Sequence, residues 1–132
     1  MKTRFRPLRV SDFYLLDPAP HTRSRLPLLL SRPLLLHRMA EDPFSFTMDV
    51  DGKPVALAGV TATGETWALL SSDMRRHMVR LTRYALCWFD QLVRPVWMTT
   101  DNTDPAAARW ALLMGFKRTK KGDRYDTYAR AV

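Results

Sequence analysis

The spacing of apolar residues along the chain changes period several times, and each change predicts an element. Residues 2–6 read as a short strand, and Ser11 with Asp12 forms a helix-start signal ahead of Phe13, Leu15 and Leu16, which Pro18 and Pro20 bring to an end. The near-repeat that follows, Arg25-Leu-Pro-Leu-Leu-Leu and Arg32-Pro-Leu-Leu-Leu, is broken into short helical pieces, because proline lacks the amide hydrogen that a helix interior uses. Pro33 suits a first helical position, with Ser31 near enough to cap it. From Phe44 the period drops to two. Phe44, Phe46, Met48 and Val50 alternate with Ser45, Thr47 and Asp49, the pattern of a half-buried strand. Asp51-Gly52 is a tight hairpin turn into a partner strand at 55–60, and Ala62-Thr63-Gly64 leads into a third strand at 65–71.

Ser72 and Asp73 read as a capping pair for a long helix. Met74, Met78, Leu81, Ala85, Trp88 and Leu92 follow steps of four and three along one apolar stripe, while Arg76, Arg80 and Arg83 occupy another face. The stripe is explained as core without any cofactor, and Cys87 beside Trp88 is expected to be a buried, inert thiol. Arg94-Pro95 stops the helix and Val96-Trp97-Met98 reads as a short buried strand. A strand reached through a long helix runs parallel to the one before it, so 65–98 is expected to form a βαβ crossover. Asp104-Pro105 then supplies a cap and a first-turn proline, Gly115 a left-handed helix end, and 116–120 with 124–130 a closing hairpin.

Composition narrows the classes. With 132 residues, 46% of them hydrophobic, the chain predicts one domain over 1–132 with an ordinary core rather than a disordered segment. A single cysteine excludes an internal disulfide and a cysteine-based zinc site, and His21, His37 and His77 lack ligand spacing, so no metal is expected. The longest leucine runs fall far below the roughly 20 residues of a spanning helix, and the first ten residues have no apolar signal core, which together predict a soluble, cytoplasmic chain with no membrane role.

Charge adds one more feature. The formal net charge is +8, divided as +6 over residues 1–40, −1 over 41–100 and +3 over 101–132, and 16 of the 21 basic residues are arginine. Clustered arginine suits phosphate contacts, but no zinc finger, GxxG loop, RNP aromatic pair or helix-turn-helix spacing accompanies it, so nucleic acid is the less favoured partner.

The element order is β, short helices, three antiparallel strands, helix, strand, helix and two strands. With Asp51-Gly52 and the segment Asn102-Thr-Asp-Pro-Ala-Ala-Ala-Arg-Trp-Ala-Leu-Leu-Met-Gly115-Phe116, it resembles the GNAT superfamily of N-acetyltransferases over nearly the whole chain. The resemblance implies an α/β (α+β) fold: a mixed central sheet, an antiparallel meander followed by the crossover, flanked by helices. It also implies an acetyl-CoA site whose pyrophosphate is held by backbone N–H groups of a glycine-rich loop ahead of the long helix.

The chain departs from that pattern where the chemistry should be. The loop reads Arg75-Arg76-His77-Met78-Val79-Arg80. Met78 and Arg80 stand at the glycine positions, and no glycine occurs between Gly64 and Gly115. Arg75, Arg76 and Arg80 could grip phosphate through their guanidinium forks, or simply form a solvated basic face. The tyrosine that many relatives place four residues before Gly-Phe, to protonate the CoA thiolate, is Ala111 here. Neighbouring Trp110 has no usable acidity. Glu65 is a candidate base, or an ordinary carboxylate beside a turn. Asp101 and Asn102 fall at the carboxyl end of the parallel strand, where α/β sheets hold ligands, although helix capping accounts for them equally; Asn102 is carried as a cofactor-binding candidate.

These departures favour a chain that keeps the scaffold and acts by protein contact, with Arg23, Arg25, Arg76 and Arg80 as partner-binding residues and no cofactor. The alternative is an acetyl-CoA-dependent N-acetyltransferase with a non-standard phosphate site. The strand Trp67-Ala-Leu-Leu-Ser71 is also similar to small GNAT-like internal virion proteins of tailed bacteriophages. That resemblance implies a host or virion protein as partner, in the infected cell's cytoplasm or in the particle.

Overall fold

The computed structural model describes residues 2–131, and its contacts gather into two units. The first is built from the segments up to Thr61 and Trp67–Met78, the second from Ala62–Thr66 and from Val79 onward.

In the first unit, β1 (Thr3–Arg6), β2 (Ser45–Val50), β3 (Lys53–Val60) and β4 from Trp67 onward (β4 as a whole is Thr66–Leu70) form one sheet in that order, with β1–β2 and β2–β3 antiparallel. Asp51 and Gly52 make the β2–β3 turn with φ of 52° and 84°, the left-handed pair that a two-residue hairpin requires. Four short helices connect β1 to β2: α1 (Val10–Leu15), α2 (Pro20–Arg23), α3 (Leu26–Leu30) and α4 (Pro33–Glu41). Prolines open α2, α3 and α4, where a missing N–H costs nothing. Leu8, Phe13, Leu16, Leu26, Leu36, Leu57 and Leu69 pack into one core, each contributing roughly 1.5–3 kcal/mol of burial. Trp67 stacks on Phe13 with ring centres 6.1 Å apart.

Two local expectations are corrected here. Ser31 does not cap α4; Arg32 holds that position, and the Ser31 hydroxyl donates back to Leu28 O at 2.7 Å. β2 is buried on both faces, because its polar positions are met inside the fold: Asp49 accepts from Arg6 of β1, and the Thr47 hydroxyl donates to Asp12 of α1.

The second unit holds α5 from Val79 onward (α5 as a whole is Met78–Asp90), β5 (Val96–Asp101), α6 (Pro105–Leu113), β6 (Lys117–Lys120) and β7 (Tyr125–Arg130), with its strands in the order β5-β7-β6. Pro105 opens α6 with Asp104 as its cap, accepting the Ala107 N–H at 3.4 Å, and Gly115 ends it with φ of 88°. Phe89 and Phe116 meet edge to face at 5.3 Å among the buried side chains of this unit. The parallel sense expected of the 65–98 crossover appears as a single bridge, Glu65 with Trp97, backed by Trp97 N–H donating to Gly64 O at 2.9 Å.

The start and phase of the long helix differ from expectation. Asp73 makes no capping hydrogen bond from its side chain, and Met74–His77 form a 3-10 turn before α5 begins at Met78. At three residues per turn the buried positions become Met74 and His77, then Leu81, Ala85, Phe89 and Leu92. Leu81, Ala85 and Leu92 match the expected stripe, but Phe89 takes the core place expected for Trp88, and Cys87 is exposed rather than buried. Among the described residues no helix is long and apolar enough to cross a membrane.

Candidate functional site

The segment that leaves β4 is held from three sides. Ser71 N–H donates to Val55 O at 2.9 Å, Ser71 forms an antiparallel bridge with Pro18, and Ser72 meets Asp17 through both its N–H (2.9 Å to O) and its hydroxyl (2.7 Å to Oδ2). With its backbone committed in this way, the chain turns tightly, burying Met74 and His77 and leaving Arg75 and Arg76 exposed.

Asp73 organises the polar groups of the turn. Ser71 Oγ donates to its Oδ1 at 2.7 Å, and Arg76 lies 3.4 Å from its Oδ2. The Ser71 hydroxyl chiefly holds the Asp73 carboxyl below the usual carboxylate range; partial burial opposes this, and Arg76 and His77 reinforce it. His77 Nε2 stands 3.8 Å from Asp73 Oδ2, too far for a hydrogen bond, and its buried Nδ1 has no partner. No sequence motif joins Ser71, Asp73 and His77 as a group. The three-residue step from Met74 to His77 is the signal in the sequence that places the histidine inside.

Two of the arginines singled out from sequence lie against the same strand and loop. Arg25 Nη2 donates to Ala68 O of β4 at 2.9 Å, and Arg23 Nη2 reaches Pro18 O, the residue bridged to Ser71, at 3.4 Å. The first unit thus brings Arg23 beside the loop that anchors the turn bearing Arg75 and Arg76. Arg80 is exposed in the first turn of α5.

The remaining candidates belong to the second unit. Glu65 is half-buried at the bridge to Trp97. Asn102 is engaged structurally: its Nδ2 donates to Gly122 O (3.1 Å) and Asp123 O (3.2 Å), and its N–H to Arg124 O (2.8 Å), fastening the end of β5 to the β6–β7 turn. Hydrogen bonds from the Thr103 hydroxyl and N–H hold the neighbouring Asp101 carboxyl below its ordinary range. Ala111 is fully buried, and the Trp110 indole N–H donates to Thr82 Oγ1 at 3.1 Å. Among the described residues no group of three or more His, Cys, Asp or Glu side chains is placed to hold a metal ion.

No protein-family model matches the chain, and no curated protein matches it. Solved structures do. An acetyltransferase from Thermus thermophilus shares 22% identity at a TM-score of 0.65, covering 100% of this chain and 98% of its own. A GNAT-family acetyltransferase from Bacillus cereus shares 10% at 0.67, covering 99% and 98%. The PaiA N-acetyltransferase from Thermoplasma acidophilum, solved in complex with coenzyme A, shares 10% at 0.68 and covers 100% of each chain.

Proposed function

We propose that this chain, whose fold is that of GNAT acetyltransferases, uses it as a scaffold for binding another protein and not for efficient acetyl transfer. The observation that carries the reading is the Met74–His77 turn. Where the resemblance places a glycine-rich pyrophosphate cradle, this turn sets Met74 and His77 into the interior, and Met78 and Arg80 follow at the glycine positions. A side chain at those positions occupies the space a phosphate needs to reach the backbone N–H groups, so we read the residues present as a poor fit to acetyl-CoA and derive no step through it. Fully buried Ala111, at the position of the family's tyrosine acid, supports the same reading.

Arg23, Arg25, Arg76 and Arg80 are the contact residues of this proposal. Their planar, multi-donor heads suit a protein surface rich in carboxylates and carbonyls. The resemblance of Trp67–Ser71 to phage virion proteins supports a partner in the phage particle or the infected cell's cytoplasm. Affinity capture from such a cell tests the proposal. A partner held by the wild type and released by the combined Arg23→Glu, Arg25→Glu and Arg76→Glu substitutions is the expected result; a partner set that the substitutions leave intact overturns it.

A second reading, acetyl-CoA held by arginine forks with Glu65 as base, draws on one observation: Arg75 and Arg76 are exposed on the turn that leads into α5. A nucleic-acid role is supported by charge alone.

A further inference from the structure

The β6–β7 hairpin carries charge that the arginine surface does not use. β6 is the edge of the β5-β7-β6 sheet and all four of its residues are exposed. Lys117, Arg118, Lys120, Lys121 and Arg124 stand within eight residues, with Asp123 as the single acid among them, and three of the protein's five lysines fall here. Arg118 lies 3.9 Å from Asp126, and Arg124 lies 3.5 Å from Asp101 and 5.4 Å over the Tyr125 ring. Among the described residues Lys117, Lys120 and Lys121 have no carboxylate within ion-pair distance. Arg130 on β7, by contrast, is consumed by Asp90 (2.7 Å), Met114 O (3.0 Å) and Phe89 O (3.1 Å).

A lysine on an edge strand discourages uncontrolled strand pairing, and one such residue suffices for that. Three unpaired ammonium groups along four exposed residues and the adjoining turn exceed the need. We propose that β6 and its turn are a docking strip for an acidic, extended polypeptide segment, which adds its backbone along the open edge while its Asp and Glu side chains meet Lys117, Lys120 and Lys121. Flexible lysine stems can follow carboxylates at strand spacing without a fixed fork geometry, and the open edge supplies hydrogen-bonding groups that a polypeptide, unlike a nucleic acid, can pair as a ladder. The register shift between Arg118 and Lys120 bends the strand and limits the paired stretch to a few residues. This strip shares no residue with the arginines above and stands without them.

The test is fluorescence anisotropy at low salt with three labelled probes: a β-prone peptide of about ten residues alternating Glu with Val, the same peptide with alternate backbone N-methylation, and a single-stranded oligodeoxynucleotide of similar length. Lys117→Glu/Lys120→Glu/Lys121→Glu is compared with Arg32→Glu/Arg38→Glu/Lys53→Glu, a set of exposed residues elsewhere that removes the same charge. Circular dichroism confirms that both triples fold. The strip predicts peptide binding about tenfold weaker in the hairpin triple, less than about twofold weaker in the control triple, and weakened several-fold by N-methylation. Equal loss in both triples reduces the effect to net charge and overturns the proposal. So do undiminished binding of the N-methylated peptide, preference for the oligonucleotide, or no peptide binding at all.

Discussion

Arg6 closes a two-pronged contact on Asp12: Nη2 donates to Oδ1 at 2.7 Å and Nη1 to Oδ2 at 2.9 Å. Its Nε donates to Asp49 at 3.1 Å, and the Thr47 hydroxyl completes Asp12 at 2.7 Å, so one guanidinium ties β1, α1 and β2 together. The Asp12 side chain is 1% exposed and that of Arg6 10%. Arg6→Met leaves the buried Asp12 carboxylate without its cation and Asp49 with only the exposed Arg4 at 3.6 Å, and is expected to cost about 3 kcal/mol or more. Asp12→Asn keeps one bond to the guanidinium and is expected to cost about 2 kcal/mol. Urea denaturation measures both, and the order is the test: an Asp12→Asn variant less stable than Arg6→Met contradicts this account of the network.

The same contact sets the response to acid. Burial alone would push the Asp12 carboxyl up, but hydrogen bonds from Arg6, the Thr47 hydroxyl and the Arg9 N–H outweigh it and hold the carboxyl below its ordinary range. A carboxyl depressed in the folded state contributes stability that is present above the ordinary carboxylate range and lost as pH falls through the folded value. Asp73, held down first by Ser71, acts in the same direction. Stability is therefore expected to be flat with respect to these two groups from neutral pH to about pH 5 and to decline below pH 4, with a shallower decline in Asp12→Asn. An equally steep acid limb in that variant would exclude Asp12 as its source.

This network shows where a one-dimensional reading ends. Thr47 and Asp49 alternate with apolar residues, and alternation alone places them on a solvated face. Antiparallel pairing puts Arg6 opposite Thr47 and Arg4 opposite Asp49, and α1 delivers Asp12 to the same spot, contacts separated by 35 residues or more in two of three cases. By contrast, the Asp51-Gly52 turn, the Pro33 and Pro105 helix starts and the Gly115 helix end rest on local backbone chemistry, and each stands where the sequence predicts it. The long helix falls between these cases. A 3-10 turn advances about 120° per residue against about 100° in an α-helix, so buried Met74 is followed by buried His77 in place of Met78, after which Leu81, Ala85 and Leu92 keep the expected stripe. Further along the helix Phe89, not Trp88, is the buried aromatic, and Cys87 is exposed.

Cys87 gives a direct check on the exposed face of α5. An exposed thiol is expected to react completely with a water-soluble disulfide reagent in the native protein, at a rate close to that in denaturant. Protection until unfolding would restore the buried assignment.

Asn102 separates a structural role from a ligand-binding one. Its two amide bonds to the β6–β7 turn are made to carbonyls at the surface, so Asn102→Ala is expected to lower stability by about 1 kcal/mol. Thermal unfolding reads this, and an unchanged midpoint would free the side chain for another task.

At the candidate site, the missing glycines were legible in the sequence because a cradle is a local motif. The inward turn of His77 and the Ser71–Asp73 contact were not, since they follow from how Ser71 and Ser72 are pinned to Val55 and Asp17 at distant points in the chain. The measurement that bears most directly on the central claim is thermal denaturation of the intact chain with and without acetyl-CoA and CoA. A ligand at a hundred times its dissociation constant raises stability by about 2.7 kcal/mol, so binding at sub-millimolar concentration would be plain. The account predicts no shift with either compound up to that concentration; a concentration-dependent rise in the midpoint would contradict it.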